Sequence, residues 1–146
     1  MKLAVDSSSF AKRYVQEIGS DKLERFLAEA SELAFSVVLV PEIVSALNRR
    51  LREHILTLLD YRAIKKQLLN DISDATVLQI TPGVVSRSVR LLENNPLRAA
   101  DSLHIACALE WGADLFITSD VKQFIAARNS GLRVKYIGQP IVEVGR

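Results

Sequence analysis

One cysteine in 146 residues, Cys107, leaves no partner for an internal disulfide and favours a reducing, cytoplasmic setting. The two histidines and that cysteine form no zinc-binding spacing. A glycine-rich phosphate loop of the Walker type is missing, and so is a GxSxG nucleophile elbow. Phosphoaspartate chemistry at Asp6 lacks the second aspartate expected two residues on, where Ser8 stands. No apolar run approaches the ~20 residues of a membrane span. The apolar start MKLAVDSSSF is interrupted at Asp6, which does not fit a signal peptide. Repeats, low-complexity tracts and interdomain linkers are absent too. With 49% hydrophobic and 25% charged residues, the sequence reads as one globular domain over residues 1–146, with a possible C-terminal tail from about residue 139. A formal net charge of +2 permits a polyanionic partner without arguing strongly for one.

What is present is an alternation of short apolar runs and helical periods. Lys2–Val5 reads as a central strand, and Asp6-Ser7-Ser8 as the cap of a helix running through Tyr14 and Val15. Gly19 ends that helix, and Asp21 with Glu24 resembles a capping box for the next. Leu33–Val38 is the second strand. Pro41 opens a helix with Ile43, Leu47, Leu51 and Ile55 at helical spacing, and Leu58, Tyr61, Ile64, Leu68 and Leu69 continue the period as a helical hairpin. Thr76–Ile80 is a third strand. Pro82 then starts a helix expected to turn Val85, Val89 and Leu92 inward. A helix with Phe124, Ile125 and Ala127, stopped near Gly131, and a strand Arg133–Ile137 close the pattern. Such alternation predicts a three-layer α/β/α sandwich around a mainly parallel sheet.

The stretch LRAADSLHIACALEWGADLFITSD, residues 97–120, organises the rest. From Ile105 to Leu109 its helix is apolar on every face, which predicts burial on all sides. Asp101 nevertheless sits near its start, and an unpaired buried carboxylate is costly. The turn at Gly112 is tight, so the helix runs back along the strand that delivers Asp120, and the two aspartates become neighbours. Asp6 ends the first strand, and Glu42 lies in the first turn of the helix after the second. Ligands bind at the carboxyl ends of parallel strands. Each acid has a plainer use: Asp6 and Asp120 suit helix caps, and Glu42 suits a helix dipole. Four like charges gathered at one edge repel unless a cation joins them, and an all-oxygen site selects magnesium or manganese over zinc. His104 reads as a packed core histidine rather than a ligand, and Cys107 as core.

The segments VDSSSF, VPEIVSALNRR, LRAADSLHIACAL and ADLFITSD resemble, in order and spacing, a PIN-domain ribonuclease of the VapC toxin type. The resemblance implies a catalytic set of Asp6, Glu42, Asp101 and Asp120, with Asp6, Asp101 and Asp120 holding Mg2+ or Mn2+. It leaves Glu42 as ligand, orienting group or general base. Ser8 and Ser119 match accessory polar positions. Lys12, Arg13, Arg49, Arg50, Arg87 and Arg98 are available to hold RNA. The resemblance further implies hydrolysis of RNA by a homodimeric toxin restrained by a cognate antitoxin. The alternatives are a non-catalytic RNA-binding or assembly module and a metal-dependent phosphatase.

Overall fold

The computed structural model describes residues 1–141. Its elements in chain order are β1 (Lys2–Val5), α1 (Ser7–Phe10) with a 3-10 turn over Ala11–Arg13, α2 (Ser20–Glu29), β2 (Glu32–Ser36), α3 (Leu39–Arg52) and α4 (Leu58–Ser73). There follow β3 (Thr76–Leu78), α5 (Pro82–Asn94), α6 (Ala99–Trp111), β4 (Leu115–Thr118), α7 (Val121–Asn129) and β5 (Val134–Tyr136). The five strands form one parallel sheet in the order β3-β2-β1-β4-β5. The chain winds outward from β1 through β2 to β3, then returns to place β4 on the other side of β1. The switch point thus lies between β1 and β4, and a crevice at the carboxyl ends of those two strands is where such sheets bind ligands.

Period-two alternation along the strands divides the core. Leu3, Val5, Leu115 and Ile117 join Phe10, Leu23, Leu39, Ile43, Leu47 and Leu68 on one face. Ala4 and Phe116 point the other way, onto Ile105, Ala106, Ala108, Ala126 and Leu91. The expected α/β/α sandwich is therefore present. The α6 helix is buried over Ile105–Ala108, as its uniform apolarity requires. Gly112 ends it with φ +76°, a left-handed conformation that glycine adopts freely.

Several sequence expectations are corrected. The first helix stops at Phe10 and tightens into the 3-10 turn, short of Tyr14 and Val15. The second begins at Ser20 behind Gly19, with no capping box from Asp21 and Glu24. A Cβ on Gly19 would lie 2.0 Å from the Ile137 carbonyl oxygen, so this turn packs directly on the end of the sheet. Residue Ile55 falls beyond α3 and is exposed, while the capping box of α4 is Thr57 with Asp60. In α5 the phase is one residue off: Val84, Ser88 and Leu91 are buried, and Val85, Val89 and Leu92 are exposed. Both stripes have helical spacing, and the more apolar one lost. The reason is Ser88, whose hydroxyl bonds Ser102 of α6 at 2.6 Å, a small polar contact that seats the two helices. Ile125 of α7 is likewise exposed, its buried face being Gln123, Ala126 and Ala127. The tail expected from about residue 139 falls largely outside the described residues.

The phase of α5 makes a direct prediction. Leu91 is 6% exposed and Leu92 38%. Leu91→Ala is expected to cost about 2–5 kcal/mol in urea unfolding, and Leu92→Ala about 0.5 kcal/mol or less, the ordinary range for surface changes. A larger loss in Leu92→Ala than in Leu91→Ala would restore the opposite phase.

Candidate functional site

The acids lie along one edge because strand ends and helix starts share it, but only Asp101 and Asp120 line the same cleft. Asp6 follows β1 directly, has no exposed surface and caps α1, its Oδ1 accepting the Ser9 N–H at 2.9 Å. Its Oδ2 accepts from the Thr118 hydroxyl at 2.7 Å and the Ser8 hydroxyl at 3.2 Å. Burial pushes the Asp6 carboxyl above its ordinary value, opposed by the nearby His104 and by the bonds from Thr118 and Ser9. Across the switch point, Asp120 caps α7, accepting from the Lys122 and Gln123 amides at 2.7 and 3.3 Å. The Thr118 hydroxyl joins these two acids: it donates to Asp6 and accepts the Asp120 N–H at 3.1 Å.

Asp101 is 5% exposed in the first turn of α6. Its Oδ1 accepts from the buried Gln123 amide at 3.1 Å, and its Oδ2 from the Arg98 guanidinium at 3.3 Å. Asp101 and Asp120 line one open cleft of about 610 Å³ with Arg98 and Lys122. Glu42, in the first turn of α3, lines a second cleft of about 540 Å³ with Ser7, Ser8, Arg49 and Arg98. Arg98 belongs to both, so the two clefts meet at this side chain. Glu42 Oε1 accepts from His104 Nε2 at 2.5 Å and from the Ser7 hydroxyl at 3.0 Å. Burial works to raise the Glu42 carboxyl, but the His104 bond and charge, Ser7 and Arg98 together hold it below the ordinary carboxylate range.

The plainer uses of these acids are therefore real as well: Asp6 and Asp120 are caps, and Glu42 sits at a helix start. Capping does not require a carboxylate with no exposed surface, as Asp6 is. Ser8 bonds Asp6, whereas Ser119 bonds the Ser9 hydroxyl at 2.7 Å and steadies α1. Two residues that the sequence did not favour lie within the site. Gln123 links Asp101 to Asp120, and its buried Oε1 has no hydrogen-bond partner among the described residues. His104 bonds Glu42 instead of merely packing. Its spacing was the available signal, since it follows Asp101 by three residues and so shares its helix face.

The cations divide sharply. Lys12 is buried, its ammonium bonded to Glu17 and to the Ile18 carbonyl, so the expectation that it faces RNA is corrected. Arg13 pairs with Glu24 and Asp71, and Arg87 with Glu110. Arg50 is half-buried beside Tyr14 and Leu47. Only Arg49 and Arg98, among the expected six, line the clefts that hold the acids.

The donor set suits a hard divalent cation in kind: carboxylate oxygens at one edge and the unpartnered amide oxygen of Gln123 beside Asp101. Among the described residues no three His, Cys, Asp or Glu side chains gather into a metal-binding group. Magnesium keeps several waters and is commonly bound through one or two carboxylates, so the fit is one of few direct ligands rather than a full protein cage.

The chain belongs to the PIN domain family, whose model matches residues 3–129. No curated protein matches it in sequence. Among solved structures it is similar to FitAcB from Neisseria gonorrhoeae, with a TM-score of 0.69 at 15% identity over 90% of this chain and 95% of that one. VapBC2 from Rickettsia felis, bound to a DNA fragment from its promoter, gives 0.68 at 13% identity over 93% and 98%. VapC20 from Mycobacterium tuberculosis, described as a sarcin-ricin loop cleaving toxin, gives 0.65 at 17% identity over 85% and 94%.

The opposed environments of Asp6 and Glu42 predict opposite pH behaviour. Asp6 ionises less readily in the fold than in the unfolded chain. Its contribution is therefore full below the ordinary value of 3.8 and is lost as pH rises through its raised value. Glu42 contributes above its ordinary value of 4.5, and that contribution is lost as pH falls through its lowered one. In chelator at about pH 7, Asp6→Asn is expected to melt above the wild type and Glu42→Gln below it; the first difference closes as pH falls toward 3.8, the second only as it falls below 4.5. An Asp6→Asn protein that melts lower at neutral pH would show that hydrogen bonding outweighs burial of the charge.

Proposed function

We propose that this chain is a VapC-type toxin, a Mg2+- or Mn2+-dependent endoribonuclease. It acts in the cytoplasm as a homodimer and is restrained by a cognate antitoxin. One observation carries the reading: acids from four distant points of a PIN-family sequence lie along the carboxyl edge of the sheet, around its switch point.

Asp6, Asp101 and Asp120 would hold the cation. Asp120 spends Oδ1 on backbone amides, which leaves Oδ2 available. The exposed Arg98 can swing away from Asp101 and uncover its Oδ2. When bound, the cation supplies an activated water and offsets charge on the phosphate and leaving oxygen. Glu42, held as a carboxylate by its donors, is suited to take a proton from an attacking water or to orient it. Arg49 and Arg98 flank the acids, where a phosphodiester needs positive charge to enter an otherwise repelling edge.

An antitoxin finds support in the neighbouring structures, several of which are toxin–antitoxin complexes. It finds further support in the exposed apolar side chains Ile55, Leu58, Leu59 and Leu69 on and beside the α3–α4 hairpin. The groove expected to receive it lies between Phe10–Ala30 and Val44–Leu69. Crosslinks from a co-purified antitoxin confined to the β5 edge would reject that groove.

The purified chain is expected to cut a single-stranded oligoribonucleotide with Mg2+ or Mn2+ and to stop when chelator is added. Asp101→Ala is expected to stay folded and lose cleavage by at least ~100-fold, the usual scale for removal of a key electrostatic group. Hydrolysis of a chromogenic phosphomonoester but not of RNA would favour a phosphatase. Metal-independent RNA retention without cleavage would favour a binding module.

A further inference from the structure

Glu42 is held in an unusual way for a side chain at the mouth of a cleft. Both of its hydrogen bonds fall on one oxygen, Oε1, from His104 Nε2 of α6 and the Ser7 hydroxyl of α1. The two donors approach each other as well, at 3.4 Å. Among the described residues Oε2 accepts from no side chain. Two elements far from α3 in the chain, α1 and α6, thus converge on half of one carboxylate.

Packing does not account for the histidine. Its side chain is 1% exposed, and its other ring nitrogen, Nδ1, is buried with no hydrogen-bond partner among the described residues. An unpartnered polar atom in the interior is a cost that a leucine at this position would not carry. Among the described residues the imidazole's polar contacts are with Glu42 and Ser7. The bond to the carboxylate runs through Nε2–H, so it is Glu42 that fixes the orientation of the ring.

We propose that His104 is a positioning residue for the reaction at this edge: with Ser7 it fixes Glu42 through Oε1, so that Oε2 is the single working oxygen turned to the cleft. The inference rests on the ribonuclease reading above. A carboxylate free to rotate presents either oxygen and misplaces the proton it accepts. One clamped by two donors on the same atom holds the other in register, and misplacement of a reacting group by about an ångström is enough to cost ~100-fold in rate.

The test compares His104→Gln, which keeps a donor near the Nε2 position, with His104→Leu, which keeps volume and removes it. On an oligoribonucleotide in Mn2+, His104→Leu is expected to lower kcat by about 10- to 100-fold with KM within about twofold. The Gln variant should regain most of that loss. In a Glu42→Gln background His104→Leu should add no further loss, because the two act as one unit. Imidazole 15N shifts are expected to show a hydrogen-bonded Nε2–H in the wild type, and Glu42→Leu, which leaves no acceptor there, is expected to remove that bond. Full activity of a folded His104→Leu would overturn the proposal. So would equal losses in Leu and Gln, or additive losses with Glu42→Gln. These outcomes leave the ribonuclease reading standing. An inactive wild type in the same assay would instead remove that reading and the proposal with it.

Discussion

At the carboxyl end of the middle strand sits a carboxylate with no exposed surface. Asp6 is surrounded by the donors Ser9, Ser8 and Thr118, yet burial still leaves it harder to ionise than in water. Its position is not negotiable. Asp6 donates its own N–H to the Ile117 carbonyl, its Oδ1 starts α1, and its Oδ2 receives the hydroxyl that also anchors Asp120. An ionisable group is thus built into the seam where β1 and β4 meet, held by donors on both oxygens.

The neighbouring groups divide that burden. Arg98 faces Asp101 and lies near enough to Glu42 to lower its carboxyl, while His104 acts on both Glu42 and Asp6. Arg49 and Lys122 line the same clefts but form no ion pair with the four acids among the described residues. An edge left in that condition attracts a cation and resists phosphate, and a metal ion relieves both difficulties at once.

The sheet and the acidic edge were legible because each rests on a strong local signal. Uniform apolarity from Ile105 to Leu109 identified the buried helix, and the tight turn at Gly112 brought Asp101 and Asp120 to the same end. The phase of α5 was not legible, because two stripes with equal spacing compete. The choice depended on Ser88 meeting Ser102, a contact across fourteen residues that no window of sequence displays. Lys12 was misjudged for a similar reason. A lysine beside an arginine reads as surface until the Ile18 carbonyl and Glu17 fold over it. His104 read as core and Gln123 was not singled out because their partners, Glu42 and Asp101, are long-range.

The central claim is that this acidic edge binds a divalent cation, and stability in Mn2+ tests it without recourse to activity. A ligand that binds only the folded state stabilises it by about 2.7 kcal/mol at a hundredfold excess over Kd. The direct measurement is the thermal midpoint of the wild type and of Asp101→Asn at one fixed pH, each in chelator and in Mn2+. The wild type is expected to gain substantially from Mn2+, and the mutant to lose most of that gain while matching or exceeding the wild type in chelator. A mutant less stable in chelator that still shows the full Mn2+ shift would make Asp101 a structural residue and contradict the site.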